Sequence, residues 1–395
     1  MPSIPAIERW RTSSACSFLL VGLALIDSPV ARAQVLHEFN AGREFTGPVQ
    51  RATFSRDGVA WIATPRELYK VIENSPRQVE TTGSKDRRIA MAPGGGRYAW
   101  LESGTAPYGR YAAEIFDLNR PSHSIATLRP LTGSIGFSTI QFGSEGGLLL
   151  TVTPLQNVEG LRGEFQYHFW SRGGQPLGTM KLQGPRIEIM DEQNAAALLL
   201  GESDAVAYGR DGIRLWQVDG RFRKGALAAS GKIGLLNPAR EINEVRVVRG
   251  GIVTAVKMSG PVYEMALTPD AAFAAVATSG GRLTILDLNT CDAQACRSRR
   301  VALPVTGNYN ISAVRFIDRS TVVVGTIRST GNPPNAKYES GALSVVTTDG
   351  VVKFHKNDLT LPQPPTKSPL LDVNFGQPEF AAYTRDSVFF VRVAH

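Results

Sequence analysis

Residues 262–289, VYEMALTPDAAFAAVATSGGRLTILDLN, constrain the fold more than any other part of this chain. Apolar and polar residues alternate, break at Thr268-Pro269-Asp270, alternate again, break at Gly280-Gly281, and alternate a third time. A side-chain period of two belongs to strands with one buried face, and Gly, Pro and Asp provide the tight turns between them. Three short antiparallel strands joined in this way form the body of a β-propeller blade.

Weaker copies recur at roughly 40 to 50 residues, the repeat length of propellers. The first has strand-like segments at 49–54, 59–64 and 67–72 around the turn Ser55-Arg56-Asp57-Gly58. The second has 88–92, 98–102 and 113–118 around Pro93-Gly94-Gly95-Gly96; the third has 139–142, 148–153 and 165–170. Later units begin near Val262, Ala313 and Leu371. Between them, residues 186–260 contain strand-like pieces at 187–190, 195–200, 213–218, 245–248 and 252–256. Counted as one unit this region gives seven blades, and counted as two it gives eight; both remain open at this point. Helical periodicity is nearly absent. The expected fold is all-β, a single seven- or eight-bladed β-propeller over residues 34–395.

The two ends of the chain complement each other. The last unit offers 371–375, 380–383 and 388–393 and then stops, one strand short of a full blade. Val35-Leu36-His37-Glu38-Phe39 reads as a strand with no blade of its own. Pairing the N-terminal strand with the C-terminal blade would close the ring and remove exposed sheet edges.

Residues 1–33 have the layout of a secretory signal peptide: Arg9 and Arg11, the apolar run 18–26 (FLLVGLALI), and the small-residue site Ala31-Arg32-Ala33. Nine apolar residues would span about 14 Å as a helix, roughly half a bilayer core, so stable membrane insertion is not expected. Cys16 precedes the apolar run, on the wrong side for lipid attachment at the cleavage site. The implied compartment is periplasmic or secreted. Cys291 and Cys296 would then be the cysteines of the mature chain, and in an oxidising compartment they are expected to form a structural disulfide.

The 43 basic and 35 acidic residues give a formal net charge of +8, and the charges are dispersed. Their densest basic cluster is Arg297-Ser298-Arg299-Arg300. We read this balance as colloidal, without a nucleic-acid partner.

The 262–289 unit resembles WD-repeat-type propellers in its Pro-Asp turn and closing Leu-Asp-Leu strand, although the Gly-His and Trp-Asp dipeptides are missing. Residues 57–69, DGVAWIATPRELY, resemble the blades of bacterial sensor-kinase ectodomains, which read dG-lWigT-gLy. The resemblance implies an exported bacterial propeller. It transfers architecture and no functional residue, because propellers serve unrelated tasks.

No catalytic motif stands out. His37, His123, His168, His355 and His395 are scattered singly, none at metal-ligand spacing. His168, inside the alternation 165–170, reads as strand surface or core. A GxSxG elbow, the haem-attachment CxxCH and the adjacent cysteines of many quinone-cofactor propellers are absent from the sequence. No cofactor or metal is expected.

In a four-stranded blade, the link between the second and third strands emerges on the same face as the link to the next blade. Three units carry long insertions there: 103–111 (SGTAPYGRY), 154–164 (PLQNVEGLRGE) and 329–340 (STGNPPNAKYES). Function on rigid scaffolds usually sits on such loops, and Tyr and Arg are enriched at interface anchors. Tyr108, Arg110, Tyr111, Arg162, Lys337 and Tyr338 are therefore the candidate binding rim. The leading functional reading is a non-catalytic binding or scaffold module for a protein or glycan partner. The alternative is an enzyme or enzyme subunit with an axial site, on the pattern of lactonases or amine-dehydrogenase propellers. Three or more converging His, Glu, Asp or Asn at the axis would favour it.

Overall fold

The computed structural model describes residues 33–81, 87–102, 113–129, 139–143, 148–154, 163–184, 186–190, 196–209, 211–292, 295–305, 309–330, 337–359, 370–384 and 387–393. They form eight four-stranded antiparallel sheets, in seven of which each strand is bonded to its neighbour in sequence. The blades cover residues 51–81, 87–128, 139–183, 187–219, 222–257, 262–301 and 309–359; the eighth combines 370–393 with 33–40. The stretch between 186 and 260 thus makes two blades, and the ring has eight. No described helix is long and apolar enough to cross a membrane.

The ring closes as its two ends suggested. The strand Ala33–Asn40 pairs antiparallel with Ser387–Val393, from Ala33 opposite Val393 to Asn40 opposite Ser387. The eighth blade therefore takes its outermost strand from the start of the described chain and its other three from the end.

The apolar core is divided in the same way. Eight buried clusters each join two neighbouring blades. Phe39, Phe54, Ile62, Tyr383 and Phe390 join the eighth blade to the first; Trp61, Leu68, Met91, Tyr98 and Trp100 join the first to the second. The series continues through Leu128 with Trp170, Tyr167 and Phe169 with Leu199, and Trp216 with Leu236. Val247 with Leu286, Ile285 with Phe316, and Val345 with Phe380 complete it. A sheet one layer thick has to bury both faces against neighbours, and only a closed ring supplies a neighbour for every face.

Hydroxyl residues shape the turns. Thr268 ends the innermost strand of the sixth blade; its Oγ1 accepts the N–H of Phe273 at 3.0 Å, while Asp270 Oδ1 accepts the N–H of Ala272 at 3.2 Å. The same device recurs where Thr347 Oγ1 accepts the N–H of Val351 and Ser171 Oγ accepts that of Gln175. Such side-chain bonds replace strand pairing at the turn itself. At Gly178 the reason for glycine is proximity: a Cβ there would lie 2.4 Å from the backbone oxygen of Asp211, in the adjoining blade.

The disulfide Cys291–Cys296 is present. It follows the strand Arg282–Asp287 and the single turn Leu288–Thr290. Both cysteines are partly buried against the cluster between the fifth and sixth blades.

Candidate functional site

The innermost strands all run from one face of the ring to the other, and residues two apart on each share a side. Ile187 and Ile189, Lys224 and Ala226, Glu264 and Ala266, and Ala313 and Arg315 are such pairs, and all line a central cavity of about 570 Å3. Arg51, Gln141, Arg223, Ser312, Asp372 and Tyr383 supply most of its remaining polar lining. Pro93 and Pro269, in first-hairpin turns, close toward one mouth.

Asp372 is the most heavily engaged of these groups. Its side chain is 1% exposed and sits 2.5 Å from the Arg51 guanidinium, which is 30% exposed. Thr53 Oγ1 donates to its Oδ1 at 2.6 Å, and the backbone N–H of Gly94 donates to the same oxygen at 2.9 Å. One carboxylate of the eighth blade thereby holds the inner strand of the first blade and the turn of the second. Tyr383 lies beside it, and burial pushes its phenol above the ordinary tyrosine range, opposed by the field of Arg51. Arg315 adds a second cation to this sector, and its Nη1 donates to the Val314 carbonyl at 2.7 Å.

The opposite sector is held more loosely. Lys224 Nζ and Glu264 Oε2 are 3.4 Å apart, both partly exposed. Arg223 donates to Asn237 Oδ1 and to the Val262 carbonyl. Asn237 in turn donates to the Glu244 carbonyl at 2.7 Å, which fixes the link between the second and third strands of that blade. Among the described lining residues the carboxylates are Glu264 and Asp372, each facing a cation. Among the described residues no group of three or more His, Cys, Asp or Glu is placed to hold a metal ion. His168 is buried at 2% exposure in the third blade, stacked on Trp170 at 5.9 Å between ring centroids, and is a core residue.

The three long insertions connect the strands anticipated for them. They link Arg97–Glu102 to Ala113–Asp117, Leu148–Pro154 to Glu164–Ser171, and Thr321–Thr330 to Lys337–Thr347. Each leaves the second strand of its blade, so the topology puts all three on one face. Tyr108, Arg110, Tyr111 and Arg162 lie outside the described residues. Lys337 and Tyr338 belong to the strand ladder, opposite Thr330 and Ser329, so that hairpin extends further than the sequence suggested; their side chains lie outside the described set. The axial polar groups, Asp372 and Arg51 above all, were not singled out by sequence reasoning.

No protein-family profile matches the chain. No curated protein sequence matches it either. Solved structures do match it in fold. Sqt1 of Saccharomyces cerevisiae superposes with a TM-score of 0.57 at 10% identity, over 92% of this chain and 100% of that one. The C-terminal WD40 domain of Sif2 gives 0.55 at 10% identity, over 92% and 99%. BamB from Moraxella catarrhalis gives 0.51 at 9% identity, over 91% and 99%. Identities this low establish the propeller architecture and carry no function across.

Proposed function

We propose that this eight-bladed propeller is an exported, non-catalytic binding scaffold that engages a protein partner on the face of the three long connections. The observation that carries the reading is topological. Three second-to-third-strand links, in the second, third and seventh blades, depart on one face, whereas the first hairpins of several blades turn within a few residues. A rigid ring that concentrates its extra chain on one side has the layout of a presenting scaffold. The composition of residues 1–33 supports export, and the Cys291–Cys296 bridge is compatible with an oxidising compartment. A glycan partner is the other occupant of the same face that the rim composition allows.

The test is affinity capture from the native envelope fraction, with crosslinks mapped onto the chain. Wild type should retain a defined protein partner, with crosslinks clustered on residues 103–112, 155–162 and 331–336. The combined variant Tyr108→Ala, Arg162→Ala, Tyr338→Ala should lose it while melting like wild type. Full capture by that variant would defeat the assignment. Export is checked separately, by whether the mature N-terminus is Gln34.

A further inference from the structure

We propose that the axial cavity is a binding site for a small organic anion, a carboxylate- or phosphate-bearing molecule whose carbon skeleton rests on the apolar wall at Ile187 and Ile189. The site is separate from the protein-binding face, since the wall named here belongs to the innermost strands.

Charge and shape support this together. Arg51, Arg223, Lys224 and Arg315 line the cavity against the two carboxylates of Glu264 and Asp372. A concave site with low-dielectric walls focuses such a surplus of positive charge onto the space between them. Its volume, about 570 Å3, lies within the range of small-molecule sites.

The two carboxylates differ in what they leave available. Both oxygens of Asp372 are occupied, by Arg51 on one and by Thr53 and Gly94 on the other. Its negative charge is therefore spent within the wall. The Lys224–Glu264 pair is 3.4 Å long between partly exposed groups, a geometry that contributes little and is easily exchanged for a better acceptor. Lys224 can thus turn to an incoming oxyanion, and the Gln141 amide can donate to one from the same lining. Ile187 is 53% exposed although it lies on the axial wall. An apolar side chain left open among cations is suited to the hydrocarbon part of an amphipathic anion.

The experiment is calorimetric titration of the full chain at low ionic strength with citrate, inorganic phosphate and hexanoate. At least one probe should bind saturably at one site per chain, and added sodium chloride should weaken it. Preference for citrate or hexanoate identifies a carboxylate ligand, and preference for phosphate identifies a phosphate ester; either supports the site. Because Ile187 is exposed, its substitution is compatible with folding and allows a test by sign. Ile187→Glu should lower affinity about tenfold or more, whereas Ile187→Lys should raise it. Lys224→Gln should weaken binding in the same direction as Ile187→Glu. Arg300→Glu, on an exposed outer strand, should change affinity less than about twofold. The proposal is overturned if no probe binds saturably, or if Arg300→Glu weakens binding as much as Ile187→Glu.

Discussion

Asp372 accepts a hydrogen bond from the backbone N–H of Gly94 at 2.9 Å, across 278 residues of chain. With Arg51 on its other oxygen and Thr53 beside Gly94, this one side chain joins three blades around the closure. Gly94 is held at φ +68°, and a Cβ there would stand 1.9 Å from Asn374 Oδ1. Asn374 itself donates to the Phe54 carbonyl at 3.0 Å. The eighth blade thus grips the first two through a carboxylate, an amide and a glycine that leaves room for both.

Asp372→Asn should accordingly be among the most damaging polar substitutions in the chain. The amide would turn its NH2 either toward the Arg51 guanidinium or toward the Thr53 and Gly94 donors, leaving a buried donor facing a donor. We expect a loss of about 2–4 kcal/mol in urea unfolding. Arg51→Gln should cost less, because Asp372 keeps two donors and Arg51 is partly exposed. An Asp372→Asn protein no less stable than Arg51→Gln would show that the clamp does not hold the ring.

Deleting residues 33–40 tests the closure directly. The strand Ser387–Val393 would become an exposed edge, and Phe39 would leave a cluster that contains Phe54 and Phe390. Hydrogen exchange should separate the two sides of that strand. Amides bonded toward Ala33–Asn40 should exchange rapidly, while those bonded toward Glu379–Tyr383 should stay protected at first. Unchanged protection on both sides would mean that the N-terminal strand contributes nothing to closure. Aggregation through the bare edge should accompany the deletion.

The disulfide makes a smaller, local prediction. Removing it with Cys291→Ser should cost about 2 kcal/mol, the chain entropy of so short a loop. The loosening should be felt between the fifth and sixth blades, where Thr254 Oγ1 donates to the Asp292 carbonyl at 3.0 Å. Quantitative thiol titration of the purified native protein should find Cys291 and Cys296 oxidised; free thiols at both would contradict the bridge.

Much of the ring was legible because its inner and middle strands are buried on at least one face. The segments 67–72, 139–142 and 187–190 occur at the bounds that alternation suggested. The outermost strands were harder to read. Arg297–Val301 is a solvated sheet edge, exposed at Arg297, Ser298, Arg299 and Arg300, so it shows little of the apolar alternation that marks a strand. The axial site was concealed by a different cause. One-residue irregularities lie between Phe222 and Lys224, between Val262 and Glu264, and between Ile311 and Ala313. A single extra residue reverses which side chains face the axis. Counting from the starts of those strands would have assigned Lys224 and Glu264 to the wrong side.

Two buried titratable groups give the chain a stability profile with separate limbs. Burial holds His168 below the ordinary histidine value of 6.5. The unfolded chain therefore takes up a proton near that pH while the folded chain does not. The contribution is fully present above the ordinary value and is lost as pH falls below it. Glu244 is held below the ordinary carboxylate value, first by the hydrogen bond from Lys257 at 2.5 Å and then by Arg246, against the cost of burial. Its contribution is present above about pH 4.5 and is lost as pH falls through the folded value. Urea unfolding across pH should show a shallow loss beginning near about pH 6.5 and a steeper one in the acid range. His168→Gln should flatten the first limb in part, the remainder belonging to His37, which burial also lowers. Glu244→Gln should flatten the second in part, the remainder belonging to Asp270 and Asp349, which are also held below the ordinary carboxylate value, and leave the first intact. A His168→Gln protein with the same slope as wild type between about pH 7 and pH 5.5 would show that the buried imidazole is not the source of that limb.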